Sequence, residues 1–225
     1  MALIACVITG DIACRDTTEG VRTQFAGAYP FTPAERRTIA RIAGTTAIEV
    51  RRHLPALPSQ ITLRVDSGKD VIPELGAIGT VLPPDWVVWT VDPDHEDGVL
   101  KIAETHLRAA LFHEFHHLVR ATTLPPATLM DRVVLEGLAT AFERDFAGTS
   151  PPWGQYPAEA PQWADELLAM PPTATRSEWV SRHPGERRWL DYRTGTYLAD
   201  RAKQKFNRTS AELVTTPTDV ILSAR

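Results

Sequence analysis

The period of the apolar positions divides this chain into a strand-bearing first half and a helical second half. Pro33 follows Thr32, a helix-start signal, and the Ala-, Arg- and Ile-rich run from Pro33 predicts a helix ending near His53, before Pro55 and Pro58. Residues 61–65 alternate apolar and polar positions, and residues 86–91 are a run of β-branched and aromatic side chains. Both are bounded by Pro, Gly or Asp and predict strands, with 79–82 as a third. Beyond the acidic turn at 92–98, good helix formers run over about 100–122 until Pro125 and Pro126 stop them. Thr128, with Asp131 at the capping-box position, predicts a further helix reaching Phe146 before Gly148. Three apolar-periodic segments follow, at 162–170, 188–206 and 210–214, separated by Pro-rich loops such as the one at 150–154. Residues 1–30 show no clear period and are placed only as a strand or irregular lead-in.

Composition narrows the class. The 225 residues are enough for one sizeable core, so 31–225 is expected to form a single domain after the lead-in. Hydrophobic residues at 43% and charged residues at 23% are those of an ordinary globular protein. Lys+Arg 24 against Asp+Glu 28 gives a net charge of -4 without a dense basic stripe, so no nucleic-acid partner is expected. The N-terminus lacks the positive region and long apolar run of a secretory signal, and no stretch approaches the roughly 20 apolar residues of a membrane span. A cytoplasmic protein without a membrane partner is the expectation. Cys6 and Cys14 fit neither a disulfide framework nor a zinc-ribbon spacing and read as free thiols.

The chemistry concentrates in one stretch. His113, Glu114 and His117 form His-Glu-x-x-His on the longest predicted helix. Residues four apart on a helix are separated by about 6 Å along the axis and about 40° around it, so two such imidazoles converge on one cation. Glu114, one residue past the first ligand, is then placed to take a proton from water on that metal. Phe112, Phe115, Leu118 and Val119 imply that this turn lies in a core, where polar groups need partners and a metal supplies one. A third ligand is offered by Glu136, after eighteen intervening residues, on a small-residue stretch in which Gly137, Ala139 and Ala141 would admit the histidine helix closely. Two histidines and a glutamate leave a position open on Zn2+.

Alternatives are weighed residue by residue. An extended motif with a third histidine would require Gly at position 120 and His at 123, where Arg120 and Thr123 stand. Asp131 has a sufficient task in the capping box, His116 reads as packing or support, and His106 is two turns too far from the ion. Glu143 and Thr140 share a helix face with Glu136, and either would orient a ligating imidazole. For the donor to a developing oxyanion, Tyr192 is the first choice and Tyr197 the second.

Taken together, His113-Glu-Phe-His-His117, the Glu136-Gly-Leu-Ala stretch and the Tyr192/Gly195 pair resemble a bacterial family of predicted zinc-dependent peptidases, a domain of unknown function. The ligand spacing resembles that of gluzincins, whose third ligand is a glutamate on a following helix. The resemblance implies Zn2+ held by His113, His117 and Glu136, with Glu114 as base; where gluzincins often carry an acid four residues after the third ligand, this chain has Thr140. The expected fold is α+β and zincin-like, a small mostly antiparallel sheet with helices followed by a helical lobe, the zinc site in the cleft between these two parts and the active-site helices at about 100–122 and 129–146. The expected function is a metallopeptidase acting on a peptide or protein, its substrate along an exposed strand, 86–91 before 76–82. A zinc-bound regulatory or sensor domain and a non-peptidase amidohydrolase are the alternatives.

Overall fold

The computed structural model describes residues 16–170 and 187–225, so Cys6 and Cys14 lie outside the described residues. Two strands begin where the lead-in was expected, β1 (Asp16–Thr18) and β2 (Val21–Phe25), paired antiparallel across a turn in which Glu19 and Gly20 both have positive φ. Helix α1 (Pro33–His53) carries the chain to β3 (Ile61–Ser67), which runs parallel to β2. A hairpin of β4 (Ala77–Leu82) and β5 (Trp86–Val91) completes the sheet in the order β1-β2-β3-β5-β4. β5 pairs parallel to β3, so the sheet is mixed, with two antiparallel and two parallel pairings, and the expectation of a mostly antiparallel sheet is corrected. α1 returns the chain to the starting end of the sheet and makes β3 parallel to β2, and because β4 takes the edge beyond β5, the hairpin turns β5 parallel to β3. β5 lies inside the sheet and β4 forms its edge, so the exposed strand is Ala77–Leu82 and not Trp86–Val91.

α1 starts as its sequence indicates. The Thr32 hydroxyl accepts from the Glu35 amide at 3.3 Å, and Glu35 accepts from the Thr32 amide at 2.6 Å, a reciprocal cap. Its apolar face of Ile39, Ala43, Ala47 and Val50 packs with Leu63, Val65, Val87 and Trp89 of the sheet.

The next helix is one continuous rod in three parts. These are α2 (Gly98–Ile102), a π turn over Ala103–Leu107, and α3 (Arg108–Thr123). Every residue from Leu111 to Arg120 is buried. A helix apolar on one side would expose the other; this one is enclosed by the sheet and by further helices, so its polar residues must find partners inside. Arg120 finds them in the carbonyls of Val214 and Thr216, at 2.9 and 2.8 Å.

α4 (Leu129–Phe142) follows, capped by Thr128 and Asp131 and prolonged by a second π turn over Glu143–Ala147 that ends at left-handed Gly148. Then come α5 (Ala160–Leu168), α6 (Leu190–Phe206) and α7 (Thr218–Leu222). Residues 210–214 form turns, not the expected helix. Asn207 ends α6 in the left-handed conformation and Pro217 interrupts again, leaving room only for a turn closed by Thr209 and Glu212, whose carboxylate accepts from the Thr209 amide at 2.8 Å. No helix among the described residues is long and apolar enough to cross a membrane.

α4 and α6 touch backbone to backbone. A Cβ built on Gly137 would lie 1.9 Å from the carbonyl carbon of Gly195, and one on Gly195 would lie 2.1 Å from the Val133 oxygen. Gly137 was expected to admit the histidine helix; its closest neighbour is α6 instead. Gly137→Ala and Gly195→Ala should each lower unfolding free energy by about 3 kcal/mol in urea titrations, since two helix axes must part. Gly68→Ala, whose Cβ would meet nothing nearer than 3.4 Å, should be nearly neutral.

Candidate metal centre

α3 presents His113 and His117 on one face, one turn apart, with their rings edge to face at 4.4 Å. α4 brings Glu136 against them. Its Oε2 lies 3.3 Å from Nε2 of His113 and 3.1 Å from Nε2 of His117, and the three donor atoms all fall within 4.8 Å of one another. The group is buried, with 7%, 6% and 7% of His113, His117 and Glu136 exposed. Of the candidate ligands, these three are brought together. Asp131 is not among them; its carboxylate accepts from the Thr128 amide and hydroxyl at 2.9 and 2.8 Å.

The electrostatics favour positive charge at the centre of this group. Burial opposes protonation of His113, but its contacts with Glu136 and Glu143 and the nearby Glu114 charge outweigh it and raise its pKa to about 10. Glu136 is held well below the usual carboxylate range, against its own burial, by His117 and His113. Lone pairs of two imidazoles and a carboxylate aimed at one buried point need a cation between them. An N, N, O donor set that leaves one side open is the kind a catalytic Zn2+ takes.

Glu114 is buried beside the cluster and does not belong to it. Its carboxylate lies against the edge strand, where a Cβ on Gly79 would come within 2.5 Å of Oε1. Burial raises its pKa.

The surrounding residues separate by what they touch. Glu143 reaches His113 from the π turn, its Oε2 at 3.4 Å from Nδ1, while Thr149 donates to its other oxygen at 3.1 Å. Thr140 faces the turn at Gly154, where a Cβ would lie 3.3 Å from its methyl group. His116 points away, with Nε2 3.4 Å from the Ser210 carbonyl and its ring on Phe142, and burial lowers its pKa well below normal. Tyr192, in the first turn of α6, sets its ring 6.0 Å from that of His113. Tyr197 meets Tyr156 edge to face and packs in the cluster of Leu129, Val133 and Trp163.

A cavity of about 250 Å³ opens at the His113 and Glu114 flank and is bordered by Gly79, Glu143 and Tyr192. Its walls include Trp153, Trp189 and His106, which the sequence reading did not assign to a site. Trp153 could have been noticed as a large aromatic in a Pro-rich loop; Trp189 enters through a left-handed backbone, φ 64°, that no local pattern announces.

A family model described as "Predicted Zn-dependent protease (DUF2268)" matches residues 39–223. The chain belongs to this family. The match begins inside α1, covers the sheet from β3 onward and every helix after it, and so contains the whole His113, His117 and Glu136 group. The family's zinc dependence and the buried His/His/Glu cluster agree, and the cluster is compatible with zinc. No curated protein and no solved structure matches the chain.

Purified protein should hold about one zinc per chain by elemental analysis, and His113→Ala, His117→Ala and Glu136→Ala should each abolish stoichiometric binding. Glu143→Ala should weaken zinc affinity by about 10–100-fold, and Thr140→Ala should leave it near wild type. Full zinc occupancy in Glu136→Ala would remove that residue from the ligand set.

Proposed function

We propose that this family member is a gluzincin-like zinc metallopeptidase, with Glu114 as the base that activates water for attack on a peptide carbonyl. The observation that carries the reading is the division of labour between two buried carboxylates. Glu136 joins the two imidazoles, while Glu114 stands outside the group, beside both the cavity and the edge strand.

Zinc, when bound by His113, His117 and Glu136, would act as a Lewis acid that acidifies water and polarises the scissile carbonyl. Glu114 accepts the proton of the attacking water as its oxygen bonds to the carbonyl carbon. The same carboxyl then delivers that proton to the amine nitrogen as the C–N bond breaks, so one residue serves as base and acid. A raised pKa suits the task, because a carboxylate that is too weak a base would not hold the proton between the two steps. Tyr192 donates its phenol proton in a hydrogen bond to the oxygen that gains charge. Glu143 holds the His113 ring in orientation through Nδ1. The substrate chain would lie along β4, whose outer edge has no neighbouring strand among the described residues.

Glu114→Gln should retain zinc and lose turnover on peptides by at least ~10². Gly79→Ala should also keep its zinc but lose kcat, since the new methyl group displaces Glu114. Zinc loss in either variant would show that Glu114 is a ligand and reverse the assignment.

Tyr192→Phe should lower kcat and kcat/KM together by ~10²–10³ with KM and zinc content nearly unchanged, as expected for a group that acts only in the transition state. Tyr197→Phe should be close to neutral. If Tyr192→Phe proves neutral on a cleaved peptide, the oxyanion donor is another group.

A further inference from the structure

We infer that the cavity beside Glu114 is a selectivity pocket for one bulky apolar side chain, aromatic or leucine-like, at a residue flanking the scissile bond. The inference rests on the peptidase reading and adds the substrate class.

Size comes first. Sites for whole small ligands usually enclose about 300–1,000 Å³. The volume here, about 250 Å³, falls below that range and suits a single large side chain beside the reacting bond, which Glu114 and Tyr192 reach from the cavity wall.

The walls decide the chemistry. Ile72, Leu75, Ile78, Ala109, Trp153 and Trp189 supply apolar surface from four parts of the chain. The ionisable groups that line it are His106, His113, Glu114 and Glu143, alongside the Tyr192 phenol. Of these, burial lowers the pKa of His106, so it offers no strong counter-charge to an acidic side chain. Glu114 and Glu143 sit at the metal end and have their own tasks, and neither pairs readily with a lysine carried to the apolar end. A charged side chain would therefore lose its hydration without an adequate partner, whereas an aromatic one would lose only apolar contact with water.

Position ties the pocket to catalysis. Ala109 lies one turn before His113 on α3, and Ile78 is next to Gly79 on β4, so a side chain in the pocket belongs to a residue immediately beside the attacked carbonyl. Arg188, next to Trp189, forms a two-pronged, half-exposed ion pair with Glu74, next to Leu75, at 2.5 and 2.9 Å.

The test uses peptides that vary only at the two residues flanking a cleaved bond, with zinc-loaded wild type, Ala109→Leu and Glu114→Gln. Wild type should prefer Phe or Leu over Asp, Lys or Gly at one of these positions by roughly 10–100-fold in kcat/KM. Ala109→Leu, which fills the pocket, should erase or invert the preference for Phe over Ala. Glu114→Gln should bind the Phe peptide more tightly than its Asp counterpart, read by a change in tryptophan fluorescence. Cleavage without preference at both positions, or a preference that Ala109→Leu leaves intact, would overturn the pocket while the peptidase reading stands. Selective binding of the Phe peptide to Glu114→Gln with no cleavage of any peptide by wild type would uphold the pocket and sink the peptidase reading.

Discussion

One buried point, on which Nε2 of two imidazoles and an oxygen of Glu136 converge, constrains much of the rest of this structure. Three polar groups in a packed interior are costly unless each is held where the others, or a cation, compensate it. That requirement explains why the histidines lie on a helix buried on every side, since a helix with one wet face would let the rings rotate out to solvent. It also explains why the carboxylate arrives on a separate helix, because only a partner from another element can approach the pair from the front.

The placement of Glu136 depends in turn on contacts that involve no polar chemistry. α4 is held from behind by α6 at the crossing of Gly137 and Gly195, where two backbones meet without side chains between them. The same crossing brings the first turn of α6, with Tyr192, alongside His113. In the proposed mechanism the proton acceptor, the metal ligand and the oxyanion donor would come from three elements, and the spacing of the last two depends on the two glycines at the crossing of α4 and α6.

How much of this was legible in the sequence follows from the range of each interaction. The helix starts at Thr32 and Thr128 were readable because a cap is made by residues three apart. The pair His113 and His117 was readable for the same reason. Glu136 was reached through a spacing characteristic of this kind of site, although the small residue beside it serves a different helix from the one expected. The order of the sheet was not legible, since pairing of β5 with β3 is decided by the path of the chain and not by either strand alone. For that reason β5 was favoured as the lining strand while β4 holds the edge. Glu143 and Thr140 both share the face of Glu136 in the sequence; that Glu143 is the one reaching His113 depends on the π turn that carries it, with Thr149 donating to its carboxylate.

The π turn between α2 and α3 has a consequence for how such a site can change. Along a regular helix, residues four apart drift by about 40°, so two such steps would swing Thr105 and His106 about 80° away from the row of His113 and Glu114. A π turn takes more residues per revolution and cancels part of that drift. Thr105, Ala109 and His113, like His106, Ala110 and Glu114, line the same cavity. The wider turn works as a vernier upstream of the ligands: a residue gained or lost there would re-index Thr105 and His106 against the metal centre and leave the ligands in register with one another.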